Sequence, residues 1–142
     1  MNTTHKMRNN GTLIVLVHIA ALSGHASSHV HLTIGVDTWQ SVFIAIVIFA
    51  APLLAMILLW LRFQTAGVYL LGISMAGSLI FGVYYHFVVA SADNAFAMGP
   101  GTWSTAFRIT AGLLAAIEAV GFAWCVWILA LQNRNAPVQT RL

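Results

Sequence analysis

Three long stretches of this chain are almost free of charge: about Trp39 to Phe63, Ala66 to Ala90, and Thr105 to Leu131. Each exceeds the roughly 20 mostly apolar residues that a helix needs to cross a bilayer. In lipid a backbone must satisfy its own hydrogen bonds, so such stretches fold as helices or not at all. Composition closes off the soluble alternative. The chain is 60% hydrophobic and 6% charged, whereas a soluble domain carries about 25% charged residues to cover its surface.

The breaks between stretches carry turn chemistry. Arg62-Phe63-Gln64-Thr65 separates the first two, and Ser91-Ala92-Asp93-Asn94 with Met98-Gly99-Pro100-Gly101 separates the second from the third. Trp39, Trp60, Trp103 and Trp127 fall near segment ends, where an interfacial aromatic belt would lie. Pro52 is expected to kink its helix and free a backbone carbonyl for a neighbour to fill.

A further segment precedes these, and two readings of it are open. One is a retained helix from about Thr12 to Ile34 with a polar outer half. The other is a cleaved signal peptide: Lys6 and Arg8 as the charged start, Leu13 to Leu22 as the apolar core, Gly24-His25-Ala26 as the cleavage site. A histidine inside the apolar core, His18, suits a bundle-facing helix better. The expectation is therefore an all-α integral membrane protein, an up-and-down bundle of four transmembrane helices at about 12–34, 39–63, 66–90 and 105–131, forming a single membrane domain over 1–142.

The net charge is +3. Lys6, Arg8, Arg62, Arg134 and Arg141 fall on one side of such a bundle, and Asp37, Asp93 and Arg108 on the other. By the positive-inside rule both termini are expected in the cytoplasm, in a bacterial inner membrane. So small an excess at the chain ends is no nucleic-acid footprint, and no nucleic-acid partner is expected. The lone cysteine, Cys125, is expected to be a small apolar packer.

Small residues mark packing faces. Ser74, Ser78, Gly82 and His86 follow one another at intervals of four, and Ala111, Ala115 and Ala119, flanked by Gly112 and Ala116, form a second stripe.

The residues that could carry chemistry are those that lipid penalises. An ionisable side chain at the bilayer centre costs roughly 2.5–3.5 kcal/mol on insertion scales, so it turns inward and finds a partner. Glu118 is the only glutamate and lies mid-segment. It is open between a protonated acid bonded for packing and a role in proton or ion handling. His18, His25 and His29 share one stripe of the first helix, and His86 lies near the outer end of the third. His29 and His86 are expected at one level, and His25 with Glu118 at a lower one. Asp93 and Arg108 are expected to pair at the outer surface.

Imidazole is the commonest metal ligand and suits zinc, copper and iron. Two from different helices also serve haem iron. His25, His29 and His86 are thus the candidate cofactor and metal ligands, for a transition metal or a non-covalent haem b, since no CxxCH attachment site is present. His18 and Glu118 are buried polar or proton-relay candidates. Four short helices with paired histidines resemble b-type cytochrome membrane subunits in arrangement. No motif is shared, and the resemblance assigns no residue a role. With short loops the chain is expected to act as a subunit within a larger membrane complex, not as an enzyme alone. Two alternatives stay open: a purely structural subunit, and a proton conduit centred on Glu118.

Overall fold

The computed structural model of the protein describes residues 3–134, which leaves Arg141 outside. Among the described residues are four helices long and apolar enough to cross a membrane: α1 (Thr3–His31), α2 (Thr38–Trp60), α3 (Gln64–Val88) and α4 (Thr102–Arg134). α1 packs along α4, α4 along α3, and α3 along α2, while α1 meets α2 mainly over Ala51–Trp60. Neighbours run in opposite directions. Trp60 at the end of α2 donates to Thr12 near the start of α1 (2.9 Å), and Gln132 near the end of α4 reaches Met7.

The buried side chains follow helical seams. On α4 they are Ser104, Phe107, Ala111, Leu114, Glu118, Gly121, Cys125 and Ile128, alternating by three and four. Glu118 thus occupies a core position of an otherwise apolar seam. The small-residue stripe expected to pack on this helix does so only in part. Ala111 is buried, but Gly112, Ala116 and Ala119 are exposed.

α1 begins nine residues before the expected Thr12, because a helix can run past its apolar core through Lys6 and Arg8. In its polar outer half Ser23, Ser27 and Ser28 satisfy their hydroxyls by donating to the carbonyls one turn back. It ends at Thr33, a left-handed residue (φ 52°), with Ile34 N–H bonded to His29 O.

Two helices contain π-helical turns, Ile44–Ala50 in α2 and Tyr84–Val88 in α3. The first stands just ahead of Pro52, which has no N–H to give. The carbonyls left over are taken from other helices: Ser74 donates to Val47 O (2.7 Å) and His18 Nε2 to Ile48 O (3.0 Å). The main core lies toward the start of α1: Val15, Ala55, Leu59, Val68, Leu71, Met75, Cys125 and Ile128.

Candidate metal centre

The opposite end of the molecule gathers the histidines. His25 and His29, one turn apart on α1, meet His86 from the π turn of α3. His25 Nε2 lies 3.1 Å from His86 Nε2 and 3.2 Å from His29 Nε2. One nitrogen from each ring falls within 4.8 Å of the others. Phe107 of α4 packs against all three rings, with centroids 4.6 to 5.1 Å away. His25 is 5% and His86 8% exposed, so bulk water does not solvate them.

The partners on the far side of the His86 and His25 rings fix where their hydrogens sit. His86 Nδ1 faces the Asp93 carbonyl at 3.2 Å and an Asp93 carboxylate oxygen at 3.3 Å. Both only accept, so Nδ1 carries the hydrogen. His25 Nδ1 meets Thr110 Oγ1 at 3.1 Å, and that hydroxyl gives its own hydrogen to Ala106 O at 2.7 Å. Nδ1 of His25 is therefore also the donor. In neutral imidazoles both Nε2 atoms are then bare, with two lone pairs facing each other at 3.1 Å. That contact is repulsive unless something electron-poor lies between them.

Asp93 completes the wall. Its Oδ1 is 3.3 Å from His29 Nε2 and from His86 Nδ1, yet it is buried without a hydrogen bond of good geometry. Asp93 does not pair with Arg108. The Arg108 guanidinium instead donates to the carbonyls of Ala95, Met98 and Gly99, holding down the loop that carries Asp93. A five-donor fork at a helix edge serves loop carbonyls that would otherwise be orphaned, and Asp93 is left free to turn toward the rings.

His25 does not share a level with Glu118. His18 does: its Nδ1 lies 3.7 Å from Glu118 Oε1, with the two residues 0% and 3% exposed. The cause is the early start of α1. The midpoint of Thr3–His31 is Val17, and that of Thr102–Arg134 is Glu118. His31 lies apart from the cluster and stacks on Trp103, with ring centroids 3.6 Å apart.

Thr110, Phe107 and Ser78 belong to this region and carry no motif. A hydroxyl at position 110 on a helix seam one turn from an aromatic was the available sign for Thr110. No family description, curated protein or solved structure matches the chain.

Proposed function

We propose that this protein is a membrane-embedded, up-and-down four-helix bundle that holds a transition-metal ion between His25, His29 and His86. The observation that carries the reading is the pair of bare Nε2 atoms at 3.1 Å, each fixed by a donor bond behind its ring. Histidine ligands typically give their second N–H to a carboxylate, carbonyl or similar acceptor, which orients the ring and raises its basicity. Tetrahedral ligation at about 2.0–2.1 Å sets nitrogens about 3.3 Å apart. Two edges of the triangle, 3.1 and 3.2 Å, are close to that value.

The convergence favours a bare ion over haem. A haem iron held by two histidines would need a macrocycle between the rings, and the 3.1 Å contact leaves no gap for one. Two bare imidazole nitrogens, with His29 Nε2 and a carboxylate beside them, suit zinc, copper or iron. Three protein ligands leave a fourth position open, the pattern of sites that bind a further molecule. We place this site toward the extracytoplasmic leaflet, with both termini cytoplasmic, in a subunit of a larger membrane assembly.

A conduit through Glu118 has one observation in favour, the His18–Glu118 pair at the helix midpoints. Beyond that pair the buried residues are Val15, Leu59, Leu71, Met75, Cys125 and Ile128, an apolar barrier to protons.

The test is the zinc, copper and iron content of protein purified in mild detergent without chelator. About one ion per chain is expected, lost in both His25→Ala and His86→Ala. Folded protein with no ion would leave a structural subunit. Glu118→Gln is expected to leave proton leakage through liposomes unchanged; abolished pH-dependent flux would favour the conduit instead.

A further inference from the structure

Beside the imidazoles a cavity of about 440 Å³ opens among the four helices. Small residues make the room: Ala26, Gly82, Ala111 and Ala115 line it. A methyl group added at Gly82 would meet only the His86 ring, at 3.9 Å. Polar groups occur at two levels. The histidines and Asp93 stand at one, Ser78 and Glu118 at the other, with Ile44, Ile48, Phe81 and Leu114 along the walls. Ser78 and His86 are two turns apart on α3, about 12 Å along its axis.

Ser78 points to an occupant. It is 1% exposed, and its Oγ has no hydrogen-bond partner, whereas Ser74 one turn away bonds Val47 O. A buried hydroxyl left unpaired is unfavourable, so a partner from the cavity would relieve it. The mouth shows how an occupant enters. α1 packs on α2 over Ala51–Trp60 but scarcely over Thr38–Ala50. The two helices splay at the histidine end, and Leu22, Ala26, Val30 and Ile44 border the gap. In a bilayer an apolar mouth between helices faces lipid.

We propose that this cavity binds a small lipid-soluble molecule with an apolar body and a polar atom at each end. One end, an oxygen or nitrogen, ligates the histidine-held ion; the other bonds Ser78 beside Glu118. The inference rests on the metal reading above. Pockets of this volume, mostly apolar with a few convergent polar groups, are the usual form of small-molecule sites.

Cobalt(II)-loaded protein in detergent tests it, with the cobalt visible bands reporting ligation. The probes are imidazole, 4-phenylimidazole and 4-(imidazol-4-yl)phenol. 4-Phenylimidazole is expected to bind at least about tenfold tighter than imidazole, a gap worth one decade in Kd. Gly82→Leu fills the cavity from a position with room for a side chain, and Ala115→Leu fills it from α4. Either is expected to keep cobalt and the imidazole response but erase that advantage, which also cancels partitioning into detergent. Ser78→Ala is expected to bring the phenol back to the affinity of 4-phenylimidazole. If the filled variants, with cobalt retained, bind 4-phenylimidazole as wild type does, the cavity proposal is overturned and the metal site stands. If Ser78→Ala leaves the phenol unaffected, the two-ended ligand is overturned, water being the partner of Ser78. Wild-type protein that takes up no cobalt overturns both readings.

Discussion

The two halves of this bundle solve opposite problems with the same four helices. Toward the start of α1, small residues bring backbones together. A methyl group on Gly67 would lie 3.0 Å from Ala55 O and Leu59 N, and one on Gly121 3.0 Å from the Ile14 side chain. Around the cavity beside the histidines, small residues leave space instead: a methyl on Gly82 would meet only the His86 ring, at 3.9 Å. The first half gains its stability from close van der Waals packing between helix backbones. The second half gives up packing and gathers polar groups. The difference teaches that small residues in an apolar helix do not by themselves mean contact; what stands opposite them decides.

The comparison breaks or sharpens under four substitutions. His86→Ala should weaken ion binding by more than about a hundredfold, beyond the 10–100-fold that outer partners contribute. Chelator titration reads this directly, and the thermal unfolding of ion-free protein should change little. Thr110→Val removes the hydroxyl behind His25 and should cost about 10–100-fold in ion affinity while leaving the fold intact. An unchanged affinity would mean that Thr110 does not set the His25 ring. Gly67→Ala should destabilise the bundle by roughly 1–3 kcal/mol, the usual range for overpacking. Unfolding in mixed detergent measures it, and the folded fraction should bind the ion as before. Gly82→Ala should be neutral or stabilise by up to about 1 kcal/mol through helix propensity. A loss comparable to that of Gly67→Ala would show that the two halves are not packed differently.

The four long helices were legible because hydropathy over some twenty residues is a strong local signal. The start of α1 was not. Its first turns carry Lys6, Arg8, Asn9 and Asn10, which say nothing about helix against loop, and the helix runs to Thr3. That one boundary moved the helix midpoint, so Glu118 was expected opposite His25 and stands opposite His18. The meeting of His29 and His86 was legible from depth, and His25 from its spacing of one turn from His29, since residues one turn apart share a face; the lower level expected for His25 was not what the fold gives. Asp93 was assigned to Arg108 on charge alone. Sequence carries no sign that three loop carbonyls would claim the guanidinium first. The cavity was not legible, because it depends on how far α1 and α2 splay. Whether the chain keeps its first twenty-six residues bears on all of this, and N-terminal sequencing of purified protein decides it. Cleavage after Ala26 would remove both His18 and His25.

Pro52 has a reach beyond its own helix. Because it lacks an N–H, Ile48 O stays available, and His18 must place its hydrogen on Nε2 to use it. The other nitrogen is thereby turned as a lone pair toward Glu118, 3.7 Å away. A missing hydrogen on α2 thus selects the tautomer of a histidine on α1 and the direction in which a carboxyl on α4 can share a proton. In Pro52→Ala the restored amide would compete for the same carbonyl, and nitrogen-15 spectra of His18 would report a ring released to choose either form.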